Sequence, residues 1–216
     1  AYDMSASLVG SEMCIRDRVK PSEGKLLYHI THLNNMPSIF KHGLLSRCQL
    51  RQNSNLNFVD IADQEILAKR ENYGDPLSQY VLFHFYPKNP FDFAVCHENH
   101  SENMVLITIR RSLCISRNSF FIIPSHPLDI DQPEIYPYKE GISRIRWDIL
   151  DAESTRDYDN AEIRKACMAE CITLNTVPVK DFAYLYVYNK KAKEKLQNCL
   201  NYTPTVDIQV NPFMFP

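Results

Sequence analysis

The stretch LLYHITHLNNMPSIFKHGLLS, residues 26–46, passes from an apolar run through two histidines into a short helical pattern. Residues 26–31 are apolar and β-prone, which predicts a β-strand. His29 and His32 stand three residues apart at the end of that run. The pattern leaves three alternatives open: a metal clip, a catalytic pair, or a grip on a small molecule by backbone and side chain together.

A short helix is predicted directly after this strand. Its apolar residues follow the i, i+3, i+4 spacing of one helix face. These residues are Met36, Ile39 and Phe40. Asn34 or Asn35 can cap the first turn, and Gly43 is a typical helix stop.

The rest of the chain mixes strand and helix patterns without regular alternation. We predict strands over residues 79–86, 104–110, 120–123, 164–173, 182–188 and 205–210. We predict helices over residues 60–74, 89–96, 142–150 and 190–200. Residues 47–57 are polar and lack periodicity, which indicates a loop. The mixture is typical of an α+β domain.

Composition is that of an ordinary globular protein. The chain has 216 residues, of which 44% are hydrophobic and 23% charged, and its formal net charge is −2. That charge argues against a surface coated in positive charge for duplex binding, but it does not exclude a local basic groove. We expect a cytoplasmic protein, because we find no signal peptide, no membrane-length apolar run, and seven cysteines without a Cys-x-x-Cys pair.

The first eighteen residues are treated separately. The segment SLVGSEMCIRDR, residues 7–18, resembles a translated sequencing adapter. We therefore expect residues 1–18 to be a non-native leader and residues 19–216 to form a single domain.

Several familiar site motifs are absent from the sequence. The five glycines build neither a G-x-G-x-x-G fingerprint nor a Walker-type loop. There is no H-E-x-x-H or G-x-S-x-G motif, and His97 and His100 near Cys96 lack a convincing fourth metal ligand. We expect no metal.

Five stretches resemble one known family. In chain order they are LYHITHLNNMPSIFKHGLLS, IADQEILAKR, YVLFHFYPKNPFDF, AECITLNTVP and VDIQVNPFMF. They occur in the order, and near the spacing, seen in DarT-type DNA ADP-ribosyltransferase toxins, and the resemblance runs from about Leu26 to the C-terminus.

The resemblance implies both a fold and an activity. The fold would be the ADP-ribosyltransferase fold, a split, mixed β-sheet core flanked by helices. The enzyme would use NAD+ as a co-substrate and attach ADP-ribose to a base in single-stranded DNA. By family analogy it would be a toxin with a macrodomain antitoxin as its partner.

The resemblance also assigns roles to residues. Glu170 matches the catalytic glutamate, and Arg70 matches a functional arginine that binds NAD+ and assists catalysis. The NAD+ contacts implied are His29, Ile30, Thr31, Leu45 and Arg70. From the residues alone, a core histidine is the preferred role of His29, and Arg70 is as readily a surface arginine that pairs with Glu65 or Glu71. Glu170 is at least as readily a residue at a sheet rim. Lys69 is the alternative to Arg70 if the register of the match shifts by one residue.

Residues 125–159 fall where the family carries its substrate-recognition loop, but this sequence is shorter there. Aromatic faces can hold unstacked bases. The candidates for base contact are His126, Tyr136, Tyr138 and Trp147. Core packing is the alternative role, above all for Trp147.

Two other functions remain open at this point. The acceptor could be RNA, a protein side chain or a 2′-phosphate in place of DNA. Alternatively, the chain could be a non-catalytic nucleic-acid-binding domain that keeps the same scaffold.

Overall fold

A single mixed sheet of eight strands organises the computed structural model, which describes residues 19–53, 55–71, 77–127, 134–152, 156–199 and 206–216. The proposed leader, residues 1–18, lies outside these ranges. The strands are β1 (Leu26–His32), β2 (Val81–His84), β3 (Met104–Arg110), β4 (Phe120–Ile123), β5 (Tyr136–Pro137), β6 (Glu170–Thr173), β7 (Phe182–Val187) and β8 (Asp207–Val210).

The strand order in the sheet is β5-β4-β6-β2-β1-β3-β7-β8. Neighbouring strands pair in antiparallel fashion except β7 and β8, which are parallel. The predicted mixed sheet of an α+β domain is therefore confirmed.

The sheet is split between β1 and β2. Strand β1 pairs with β3 along its whole length, from Leu26 opposite Arg110 to His32 opposite Met104. Toward β2 it has a single register pair, Tyr28 opposite His84. Beyond Tyr28 the two strands diverge and leave one edge of β1 without a strand partner among the described residues.

Helices flank this sheet in the described part of the chain. They are α1 (Met36–His42), α2 (Arg47–Gln52), α3 (Gln64–Glu71), α4 (Pro90–Asn99), α5 (Arg111–Ser116), α6 (Tyr138–Gly141), α7 (Trp147–Leu150), α8 (Ala161–Cys167) and α9 (Lys190–Cys199). No helix in these ranges is long and apolar enough to cross a membrane.

Two element predictions were wrong. Residues 47–52, predicted as loop, form α2, which Ser46 and Gln49 start with a reciprocal capping box. This helix buries none of its side chains, so it shows no apolar periodicity. Residues 161–167 form α8, capped by Asn160, and the strand begins only at Glu170. A short apolar run fits either period, and the capping asparagine was the signal for a helix.

The hydrophobic core lies largely on one face of the sheet. Its main cluster includes Leu27 of β1, Phe83 of β2 and Ile107 of β3, each fully buried. Smaller clusters form around Ile30 and Leu106, and around Ile123 and Ile172. Strands β2 and β6 therefore bury side chains on both of their faces beside the gap in the sheet.

Candidate active site

A cleft of about 200 Å³ opens where β1 and β2 diverge. Its walls come from β1, β2, β6, the turn after α1, helix α3 and the segment between α2 and α3. We call that segment, residues 55–63, the α2–α3 connection. The predicted site residues that line the cleft are His29, Ile30, Thr31, Leu45, Arg70, His126 and Glu170.

A buried ion pair lies in this cleft. The Arg70 Nη1 and Nη2 atoms donate to the two carboxylate oxygens of Glu170 at 2.8 and 2.9 Å. Only 2% of the Glu170 side chain and 12% of the Arg70 side chain are exposed. The planar guanidinium fork fixes the carboxylate orientation at two points, which a lysine cannot do.

Charge around Glu170 keeps this carboxylate ionised. Burial by itself would raise its pKa, but the charge of Arg70 and the hydrogen bonds from Arg70 outweigh burial and lower the pKa below its usual value. His84 and His126 act in the same direction. Strand pairing explains the position of His84, which lies directly opposite Glu170 in the β2–β6 register.

His29 fills part of the gap between the two strands. Its Nδ1 atom lies 2.8 Å from the Leu82 carbonyl oxygen, which can only accept a hydrogen bond. Burial lowers the pKa of His29 to about 4, so the ring is neutral near pH 7. A proton on Nδ1 leaves Nε2 as a hydrogen-bond acceptor.

Thr31 and the free edge of β1 add further polar groups. Thr31 is buried, and its Oγ1 accepts a hydrogen bond from Asn35 at 3.2 Å. The edge of β1 beyond Tyr28 carries backbone N–H and C=O groups that β2 does not pair. Such an edge can bind a planar amide through a donor and an acceptor at once.

Gly43 places Leu45 against the cleft. It ends α1 with a φ of 80°, and a Cβ atom there would lie 2.8 Å from the Val177 carbonyl oxygen. The next residue, Leu44, forms a backbone bridge with Val177. Glycine is needed because both the left-handed backbone and the close approach exclude a side chain.

Polar contacts hold the α2–α3 connection over the cleft. Arg47 forms a bidentate ion pair with Asp60, and its guanidinium also lies over the Phe58 ring. Arg51 pairs with Glu71 at the end of α3. The first ion pair links α2 to the α2–α3 connection, and the second links α2 to α3, the helix that carries Arg70.

Three of the four aromatic candidates for base contact lie outside the cleft lining. Tyr138 is buried in the main core cluster. Trp147 packs edge-on against Phe85 at 5.5 Å and donates from Nε1 to the Ile142 carbonyl. The structure thus gives Tyr138 and Trp147 the alternative role in core packing.

Tyr136 of β5 pairs with Ile122 of β4. The Arg144 guanidinium carbon lies over the Tyr136 ring, 4.1 Å from the ring centroid. His126 alone of the four aromatic candidates lines the cleft.

Sequence reasoning missed two residues of the cleft. His84 is a polar residue inside the apolar stretch QYVLFHFY, and this break in the pattern was its signal. Asn35 was predicted only as a possible helix cap, yet its side chain makes no cap hydrogen bond. Among the described residues, no group of three or more His, Cys, Asp or Glu side chains could hold a metal ion.

The split, mixed eight-stranded sheet agrees with the ADP-ribosyltransferase fold that the sequence resemblance implied. A sequence profile described as "DarT: ssDNA thymidine ADP-ribosyltransferase, DarT" matches residues 28–215. The chain therefore belongs to the DarT family.

Two curated relatives are similar to this chain in sequence. A DNA ADP-ribosyl transferase–DNA ADP-ribosyl glycohydrolase fusion protein from Thermosipho africanus is 24% identical over 81% of this chain and 45% of its own length. The chain thus spans less than half of that fusion protein. A DNA ADP-ribosyl transferase from Thermus sp. 2.9 is 21% identical over 82% of this chain and 88% of its own length.

Solved structures share the fold. Thermus sp. 2.9 DarT in complex with ADP-ribosylated single-stranded DNA superposes with a TM-score of 0.76, at 20% identity over 89% of this chain and 96% of that one. The NAD+ complex of the same protein gives 0.72 at 18% identity, over 90% and 98% of the two chains.

Proposed function

We propose that this protein transfers ADP-ribose from NAD+ to a thymidine base in single-stranded DNA. One observation carries the proposal: an ionised, buried Glu170 clamped by Arg70 lies in the same cleft as the free edge of β1. The family description names the DNA, the base and the reaction. The solved complexes of Thermus DarT with NAD+ and with ADP-ribosylated single-stranded DNA support the proposed co-substrate and acceptor.

The cleft suits NAD+ in its chemistry. The free edge of β1 at His29–Thr31 offers backbone groups for the nicotinamide amide, and Ile30 and Leu45 supply apolar surface. The neutral His29 can accept a hydrogen bond from a ribose hydroxyl through Nε2. The cation of Arg70 can also attract the diphosphate.

Bond cleavage requires a negative charge near the sugar. When the bond between the nicotinamide nitrogen and ribose C1′ breaks, its electron pair leaves with nicotinamide and positive charge builds on the ribose. The fixed carboxylate of Glu170 stabilises this charge and can accept a hydrogen bond from a ribose hydroxyl.

The acceptor base must lose a proton as it forms the new bond to C1′. In thymidine, N1 carries the deoxyribose, so N3–H is the ring nitrogen available for attack. Arg70 remains protonated and therefore assists through Glu170, which it orients by two hydrogen bonds. Glu170 then accepts the N3 proton, and the products are nicotinamide and ADP-ribosylated DNA.

In a cell such an enzyme would act as a toxin, and we propose a macrodomain antitoxin that removes the modification. The fusion of a transferase to a DNA ADP-ribosyl glycohydrolase in Thermosipho africanus supports this pairing. We also propose that the enzyme acts in the cytoplasm.

The experiment that tests the function offers four acceptors side by side. The protein is incubated with NAD+ labelled in its adenylate part and with single-stranded DNA, duplex DNA, RNA or a protein mixture. The proposal predicts label on single-stranded DNA only, and none with Glu170→Ala. Label only on RNA or protein would refute the DNA assignment. Binding of DNA without any transfer would favour a non-catalytic domain.

A further inference from the structure

The side chain of Asn35 turns away from the helix that it precedes. It is 8% exposed and makes no cap hydrogen bond to α1. Its Oδ1 accepts from the Val59 N–H at 2.7 Å, and its Nδ2 donates to the Val59 carbonyl at 2.9 Å. The amide therefore pairs with both backbone groups of one residue, as a neighbouring strand would.

A third hydrogen bond joins Asn35 to the cleft. Nδ2 also donates to Thr31 Oγ1 at 3.2 Å. Because the Thr31 oxygen is the acceptor in this bond, its own hydrogen is left for donation to another group. Thr31 lines the cleft, so Asn35 directs this donor toward a ligand there.

The segment that Asn35 holds, residues 55–63, has no fully buried side chain, and its apolar contact with the core is made by the partly buried Ile61. Val59 is 37% exposed, α2 buries no side chain, and Leu67 is the buried residue of α3. Segments with few buried apolar contacts open locally at low free-energy cost. The Asn35 amide is thus a direct link between the α2–α3 connection and the end of β1.

We propose that Asn35 is a positioning residue for NAD+ binding. It acts through its hydrogen-bond partners. Its bonds orient the Thr31 hydroxyl on one side of the cleft and hold the Val59 backbone on the other side. This inference rests on the proposed function. It deepens that function by naming a side chain outside the Arg70–Glu170 pair that shapes the NAD+ site.

The variant Asn35→Asp tests the link. It keeps the size of the side chain and an acceptor for the Val59 N–H, but it removes both donated hydrogen bonds. Asn34→Asp is the matched control, since Asn34 is exposed and bonds to Lys195 on the surface. We expect KM for NAD+ to rise about tenfold to a hundredfold in Asn35→Asp with kcat within about twofold, and the control to match wild type.

Amide hydrogen exchange supplies a second readout that does not depend on transfer. Without NAD+, the Val59 amide should exchange faster in Asn35→Ala, which removes its side-chain acceptor, than in wild type or Asn34→Ala, while the sheet amides stay protected. If Asn35→Asp does not fold, Val59→Pro is the second variant. It removes the Val59 N–H that donates to Asn35, at a position that is itself exposed, and should also raise KM for NAD+.

The outcomes separate this inference from the proposed function. An unchanged KM in Asn35→Asp or Val59→Pro, or a fall in kcat alone, would overturn the role of Asn35. If wild type binds NAD+ in calorimetry but transfers nothing, the function fails while a weakened NAD+ affinity in Asn35→Asp still supports the link. Absence of NAD+ binding to wild type would refute both.

Discussion

Arg70 and Glu170, one hundred residues apart in the chain, are joined by two hydrogen bonds of 2.8 and 2.9 Å in a cleft of the sheet. Breaking a buried pair by removing one partner leaves an uncompensated charge, which makes such pairs sensitive to substitution. The proposed catalytic carboxylate and its orienting cation therefore also contribute to stability, and tests of either residue must measure both activity and unfolding.

Glu170→Gln should abolish most of the transfer. It removes the negative charge that stabilises the ribose cation but preserves the shape, so we expect kcat to fall by about 100-fold to 1,000-fold. Loss of the charged acceptor for Arg70 should lower the free energy of unfolding by about 1–3 kcal/mol. Transfer assays and denaturant unfolding check both values. Glu162→Gln, at an exposed position of α8, is the control, and wild-type kcat in Glu170→Gln would contradict the assigned role.

Arg70→Lys tests the geometry of the guanidinium fork. Lysine keeps the positive charge but replaces two aligned donors with one ammonium group, so kcat/KM should fall by about tenfold to a hundredfold. Lys69→Ala is the control, because Lys69 is the exposed neighbour and does not line the cleft. Steady-state kinetics over a range of NAD+ concentrations measures the effect. If kcat/KM falls further in Lys69→Ala than in Arg70→Lys, Lys69 and not Arg70 is the functional cation.

The neutral His29 predicts a pH dependence of stability. Burial lowers its pKa from 6.5 to about 4 in the folded protein. Between these values the unfolded chain binds the proton and the folded one does not, so stability falls as the pH drops through this range, by at most about 3 kcal/mol. Burial also lowers the pKa of His84, which acts in the same direction.

Urea unfolding of His29→Gln at several pH values checks the prediction for His29. The slope of stability against pH between 6.5 and 4 should be shallower than in wild type. His42→Gln, at an exposed position of α1, is the matched histidine-to-glutamine control. An unchanged slope in His29→Gln would show that His29 is not the buried neutral group.

Gly43→Ala should disturb both stability and NAD+ binding. A φ of 80° disfavours alanine, and the added Cβ would lie 2.8 Å from the Val177 carbonyl oxygen. We expect a loss of about 1–3 kcal/mol in the free energy of unfolding, and a higher KM for NAD+ because Leu45 shifts. Thermal unfolding and kinetics test this, with His42→Ala as the control at the preceding position. Wild-type stability in Gly43→Ala would refute the stated packing.

The strands were the most predictable part of the fold. β3 and β4 match the predicted residues 104–110 and 120–123, because dense β-branched and aromatic runs leave little choice of period. Helix α2 was missed because a helix that buries none of its side chains has no apolar stripe to detect. The start of β6 was misplaced because a few small apolar residues around Cys167 fit a helix as well as a strand.

The candidate site divides in a similar way. His29, Thr31, Arg70 and Glu170 could be named from the family resemblance, and all four line one cleft. The position of His84 depends on the β2–β6 register, and the bonds of Asn35 depend on where the α2–α3 connection returns to β1. The break in QYVLFHFY marks His84 as unusual, but no local pattern predicts which distant residues His84 and Asn35 pair with.

Mass spectrometry of modified oligonucleotides identifies the base to which the protein attaches ADP-ribose. Four single-stranded oligonucleotides are prepared, each with one thymine, guanine, adenine or cytosine among abasic positions. Each is incubated with NAD+ and the wild-type protein and, in parallel, with Glu170→Gln. We expect one added ADP-ribose on the thymine oligonucleotide with wild type and almost none with the variant. Modification of another base alone, or equal modification by both proteins, would contradict it.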